Sequence, residues 1–293
     1  MLTGYFTEMV GKYTPMKASA LATPGTTHDM EALLEGRAHV MFTSTTAPVI
    51  MRNEREGAFH IRGLASGIGV ASATIAGYYT LPGGDIKVWA DLKGKLVYAD
   101  KPSLMWSEPI SDALLEVNNM TRDDLGKWLE YSDNAAAFRD VKEGRVDAII
   151  FVAGGNTTEM GETTGIYVIP LNSEEQEAIE GLGFGFIPTL WPAGKFGNDM
   201  DTPAVSAPQV LFVSPHASDD LAYTLTKMLF DHIEEFQTGV QYGMGFSLEN
   251  ALAQWALPYH TGAIKYYKEQ GMWGAAEDAK QQALLDLETP LPA

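Results

Sequence analysis

Cysteine is absent from the chain, which removes disulfides, thiolate zinc sites and cysteine nucleophiles from consideration. Cations are scarce: 20 lysines and arginines stand against 38 aspartates and glutamates, a formal net charge of −18, and no basic cluster exceeds a pair. Nucleic acid is excluded as an expected partner, because phosphate binding is driven by Lys and Arg. None of His28, His39, His60, His216, His232 and His260 lies three to five residues from another, so metal-ligand spacing is missing. Gly63-Leu64-Ala65-Ser66-Gly67 carries its serine one position too late for a nucleophile elbow. Gly67-Ile68-Gly69 has neither a third glycine at dinucleotide spacing nor a Lys-Ser/Thr pair, so no cofactor is expected. Carboxylate pairs such as Glu159 and Glu162 carry no information in a chain this acidic. No apolar run approaches the roughly 20 residues of a membrane span, and residues 1–20 show no basic region followed by an apolar one.

What the chain does have is 45% hydrophobic content over 293 residues, enough for one large or two medium cores, and one message given twice. Met30-Glu31-Ala32-Leu33-Leu34-Glu35-Gly36-Arg37-Ala38-His39-Val40-Met41-Phe42-Thr43 is echoed by residues 138–151, from Phe138 through Glu143-Gly144-Arg145-Val146 to Phe151. Each copy reads as a helix stopped at a Glu-Gly-Arg turn, where glycine takes a left-handed conformation, followed by an apolar run too short for a second helix. Each strand then empties into small polar residues: Thr43-Ser44-Thr45-Thr46 in the first copy, Ala153-Gly154-Gly155-Asn156-Thr157 in the second. Ligands of open α/β sheets bind outside the carboxyl ends of strands, so two such units predict two lobes presenting loops to one cleft.

Along the chain, residues 2–13 read as the tail of an amphipathic helix, and Lys17-Ala18-Ser19-Ala20-Leu21-Ala22 as a strand. Thr26 or Thr27 is expected to cap a helix over 28–36, and Ala47 to Asn53 forms a short helix with Pro48 in its first turn. Residues 60–80 read as strands, and the unit from Trp89 to Asp100 continues through the loop Lys101 to Ser107 into a helix over 108–118. Gly181 to Ala204 reads as irregular, Ser206 to Val213 as a strand, and Asp219 to Phe236 as one helix capped by Ser218. Further helices are expected over 247–270, with a frayed tail.

Four loop-to-helix junctions gather hydroxyls and free N–H groups suited to anions: Pro24 to Thr27, Thr43 to Thr46, Ser103 to Ser107, and Gly154 to Thr157. Ordinary capping accounts for any one of them; four at equivalent sheet edges favour a ligand. One helix terminus stabilises an anion by about 0.3–1 kcal/mol, whereas micromolar binding requires about 8 kcal/mol. A single junction is therefore too weak, and two lobes are needed.

These residues resemble the TAXI group of solute-binding proteins of TRAP (tripartite ATP-independent periplasmic) transporters. The likeness rests on Ala22-Thr23-Pro24-Gly25-Thr26, Trp89-Ala90-Asp91-Leu92-Lys93-Gly94-Lys95, Glu143 to Ala148 leading to Gly154-Gly155, Leu221 to Phe230, and above all Leu257-Pro258-Tyr259-His260-Thr261-Gly262-Ala263-Ile264-Lys265-Tyr266-Tyr267. It implies an α/β, two-lobe periplasmic-binding fold of type II with its first strand missing, lobe I over residues 1–83 and 204–293 and lobe II over 84–203. It implies a non-enzymatic role: capture of a small carboxylate, an acidic amino acid or related acid, for delivery to TRAP membrane subunits in the periplasm, the signal sequence being removed or truncated. Carried over by position, the ligand contacts are Gly25, Thr26, Thr27, Thr43, Ser44, Thr45, Ser103, Trp106, Ser107, Gly155 and Asn156. Leu104, Met105 and Trp106 stand where the family commonly has small residues, which implies a bulkier pocket wall. An enzyme on the same fold and a ligand-sensing module are the alternatives.

Overall fold

The structure is a computed structural model, and it describes residues 2–23, 25–54, 60–67, 73–102, 107–152, 163–191, 193–194 and 200–288. The chain divides into two compact units, residues 1–73 with 208–293 and residues 74–207.

The first unit opens with α1 (Leu2–Tyr13), which buries Phe6, Met9 and Val10. It continues through α2 (Thr26–Leu34), β1 (Val40–Ser44), α3 (Thr46–Glu54) and β2 (Arg62–Gly67). The long strand β9 (Thr202–Val213) supplies its last residues here: 209–213 lie between β1 and β2 and pair antiparallel with both, Val40 opposite Val213 and Ser44 opposite Gln209. Helices α7 (Asp219–Asp231), α8 (Ile233–Gly239), α9 (Thr261–Glu269) and α10 (Ala275–Leu285) complete the unit. One apolar cluster joins Phe6 and Val10 of α1, Leu64 of β2, Leu211 of β9, Leu225 and Leu229 of α7, and Tyr266 and Tyr267 of α9.

The second unit contains β3 (Ala73–Thr80), β4 (Leu96–Asp100), α4 (Ser107–Glu116), β5 (Lys127–Glu130), α5 (Asn134–Lys142), β6 (Ala148–Val152), β7 (Tyr167–Val168), α6 (Ser173–Gly181) and β8 (Ile187–Trp191). Its sheet runs β9–β3–β6–β4–β5, with β7 on β3 and β8 on β9. β4, β5 and β6 are mutually parallel, so their carboxyl ends share one edge.

Both copies of the sequence echo fold as helix, turn and buried strand: α2 into β1 and α5 into β6. Gly36 and Gly144 sit at φ 71° and 72°, the left-handed region where a Cβ would clash, which is why glycine stands at both turns. Ser218 caps α7, its Oγ accepting from Leu221 N at 3.2 Å.

Six expectations need correction. Lys17 to Ala22 forms no strand; it is exposed and pairs with nothing among the described residues. The cap of α2 is Gly25, in an extended conformation and without a side-chain cap bond, not Thr26 or Thr27. The helix expected over Asp219 to Phe236 breaks at His232 (φ −125°, ψ 32°) into α7 and α8. The irregular stretch Gly181 to Ala204 contains β8, paired antiparallel with the start of β9; prolines 188 and 203 masked the strand pattern. Of residues 247–270 only α9 is an α-helix. Gln254 instead fastens the preceding turn, its Nε2 donating to Leu257 O and its Oε1 accepting from Ala256 N and Leu257 N. The tail holds α10, whose buried Gln281 exchanges two hydrogen bonds with the Tyr259 main chain.

Candidate functional site

In the first unit, the carboxyl end of β1 runs directly into α3 through Thr45. Thr43, Ser44, Thr45 and Thr46 are all buried. The Ser44 and Thr46 hydroxyls bond each other at 2.6 Å, and Thr45 N donates to Pro208 O at 3.1 Å, which fastens the turn to β9. α2 packs on both β1 and α3. Because α2 runs back along β1 after a short turn, its N-terminus returns toward the strand's carboxyl end, and with it Gly25, Thr26 and Thr27. These three are half-buried. Thr23 Oγ1 bonds Asp29 in the first turn of α2, closing the loop before the helix. Thr26 and Thr27 open α2 and Thr46 opens α3, while Thr43 and Ser44 end β1; helix N-termini carry N–H groups that favour an anion.

In the second unit the corresponding edge carries β4, β5 and β6. Ser107, the first residue of α4, is buried, and its hydroxyl is engaged internally: it bonds the Asp100 carboxylate and accepts from Lys101 N at 2.9 Å. The hydroxyl holds the loop closed. Ser103, Trp106, Gly155 and Asn156 lie outside the described residues.

The sequence reading missed Lys101 and Asn134. Lys101 follows the last residue of β4, and its Nζ donates to Asn134 Oδ1, at the start of α5, at 2.8 Å. The ammonium also lies 5.9 Å from the centre of the Tyr131 ring. Tyr131 follows β5, is itself buried, and donates its hydroxyl to Ile150 O of β6 at 3.0 Å. Burial pulls the Lys101 pKa below the ordinary lysine value, with Asp133 opposing the shift. Asp133 caps α5 through Ala136 N at 2.7 Å. A half-buried amine therefore stands on the carboxyl edge of three parallel strands, beside the starts of two helices. The signal was present in the sequence as the cation immediately after a buried strand, but a loop rich in hydroxyls drew attention past it.

Three histidines are tied into the fold: the His216 ring lies 3.1 Å from Leu34 O, His232 stacks on Tyr13, and His260 is a helix cap. His260 caps α9, its Nδ1 accepting from Gly262 N at 3.1 Å while Nε2 lies 3.3 Å from Ala217 O, and burial lowers its pKa. Among the described residues no group of three His, Cys, Asp or Glu side chains could hold a metal ion, and no helix is long and apolar enough to cross a membrane.

Comparison with solved structures gives a consistent fold. XAC2383 from Xanthomonas citri bound to ATP is similar at TM-score 0.54 and 10% identity, over 97% of this chain and 92% of that one. The periplasmic aliphatic sulphonate binding protein SsuA from Escherichia coli is similar at TM-score 0.50 and 15% identity, over 98% and 86%. At such identities the likeness shows the fold alone, and that fold is the α/β architecture of two-lobe periplasmic binding proteins. Residues 6–271 match the model of the NMT1-like family, and the chain belongs to that family.

Proposed function

We propose that the chain is an extracytoplasmic solute-binding protein of the TAXI type that takes a small carboxylate, an acidic amino acid or related organic acid, and passes it to TRAP transporter membrane subunits. The observation that carries the reading is Lys101, a half-buried amine among helix N-termini at the edge where α/β sheets bind ligands. A charge-assisted hydrogen bond from an ammonium is worth about 1.5–3 kcal/mol, and the helix ends of each unit add fractions of that. Reaching micromolar affinity, about 8 kcal/mol, then needs further donors, for which Gly25, Thr26, Thr27, Thr43 to Thr45, Ser103, Trp106, Ser107, Gly155 and Asn156 are the candidates.

A thermal-shift screen tests it. A ligand at 100 times its Kd stabilises by about 2.7 kcal/mol. At least one acidic amino acid or dicarboxylate is expected to raise the melting temperature in a concentration-dependent way. A rise with a neutral sugar or a metal ion, and with no carboxylate, contradicts the proposal.

A further inference from the structure

Asn134 offers more than its bond to Lys101. An ammonium has three donors and no acceptor, so the carboxamide faces it with Oδ1, 2.8 Å from Nζ. That contact fixes the orientation of the amide and leaves Nδ2, a donor, with no partner among the described residues. Covalent geometry sets Nδ2 about 2.2 Å from Oδ1, close to the separation of the two oxygens of a carboxylate. The ammonium keeps donors of its own, since Lys101 makes no ion pair among the described residues. Both side chains are half-buried and both are held in place: Asn134 is the first residue of α5, and Lys101 N donates to Ser107 Oγ at 2.9 Å, which fixes the main chain that carries the amine. Two adjacent, pre-positioned donors suit the two oxygens of one head group.

Charge adds a second constraint. Asp100 is buried one residue before Lys101 and bonded to Ser107. Asp133 lies one residue before Asn134, caps α5, and acts on the ammonium electrostatically. One cation thus stands among two anions, and a head group bringing two negative charges meets like charge that a single charge largely escapes. We propose, resting on the carboxylate reading of Lys101, that Asn134 is a specificity-determining residue of this site: with Lys101 it forms a two-donor clamp that takes both oxygens of one singly charged carboxylate and discriminates against doubly charged phosphate esters.

Isothermal titration at about pH 7.5, where a phosphate monoester is mostly a dianion, compares glutamate and succinate with methyl phosphate on the parent chain, Asn134→Ala and Lys101→Met. Alanine is a good helix former and Asp133 remains as the cap, so Asn134→Ala is expected to melt near the parent chain. The clamp expects Asn134→Ala to weaken the tighter-binding carboxylate by about 10- to 150-fold. It expects methyl phosphate to bind the parent chain at least about tenfold more weakly than that carboxylate. In an NMR titration the side-chain amide signal of Asn134 is expected to shift along the same saturation curve, a response that a purely structural role does not produce. If Asn134 only occupies Lys101, its removal frees the ammonium and affinity holds or rises. That result, with Lys101→Met still losing the carboxylate, overturns the clamp and leaves the carboxylate reading standing. Binding unchanged in both variants, or no binding of glutamate or succinate to the parent chain, overturns the reading and the clamp together. Methyl phosphate bound as tightly as the carboxylate overturns the charge discrimination.

Discussion

Gly262→Ala is expected to lower the melting temperature by about 5–10 °C, corresponding to roughly 3 kcal/mol of lost stability. Gly262 is the second residue of α9, in the helix pair α7 and α9, whose contact is the most extensive between any two helices described. A Cβ built there would lie 2.2 Å from Asp219 O, 2.7 Å from Tyr223 N and 3.0 Å from Ala222 Cβ. Two of these are main-chain atoms of α7, which cannot move aside as a flexible side chain could. The helices must part, and the stacked rings of Phe230 and Tyr266, 5.9 Å apart, part with them. Gly4→Ala is the matching control: a Cβ at Gly4 meets nothing within 4 Å, and it lies inside α1. There the substitution improves helix propensity and is expected to stabilise by about 0.5–1 kcal/mol. Thermal melts of both variants check the pair; equal destabilisation would mean that the α7–α9 approach is not the cause.

Lys101→Met is expected to weaken the proposed carboxylate binding by about 30- to 5,000-fold while the melting temperature of the unliganded protein moves little. Truncating one partner of a desolvated, hydrogen-bonded charge pair costs about 2–5 kcal/mol of affinity. Methionine keeps the stem that packs beside Tyr131 and loses only the ammonium and its bond to Asn134, a loss to the fold of about 1 kcal/mol. Lys127→Met is the control: Lys127 is exposed on β5 in the same unit. In a protein of net charge −18 its loss alters only the screened long-range field, worth little beyond about 8 Å in physiological salt. Isothermal titration of the carboxylate that scores highest in the thermal-shift screen distinguishes the two. If both variants bind like the parent chain, the anion is held elsewhere.

Much of the architecture was legible because it rests on local chemistry. The Glu-Gly-Arg turns announce a left-handed glycine, the apolar runs after them announce buried strands, and Ser218 announces a helix start; each signal lies within a few residues of what it determines. The failures share a different cause. Lys17 to Ala22 has the composition of a strand, but a strand exists only where a neighbour's main chain pairs with it, and pairing is not a local property. Residues 247–260 have helical periodicity, yet a Gln254 side chain competes for the main-chain groups a helix would need, and Leu257-Pro258 ends the contest.

The candidate site divides the same way. Thr26 and Thr46 begin helices where the sequence placed turns, since both starts are set by local chemistry, and Thr43 and Ser44 end β1. Ser107 was visible too, but its hydroxyl serves the loop of Asp100 and Lys101, a use that depends on the chain folding back over seven residues. Lys101 was overlooked because its distinction is environmental. Half-burial, Asn134 and the Tyr131 ring come from a strand and a helix some thirty residues away.

The central claim is the proposal that a small carboxylate binds at the carboxyl edge of β4, β5 and β6, where Lys101 stands. An amide-resolved NMR titration with glutamate and a set of dicarboxylates tests it most directly, by following Lys101 and Ser107. The account predicts that both amides shift with one carboxylate along a single saturation curve, giving one shared Kd. Two different Kd values, or no response of either amide to any carboxylate, would contradict it.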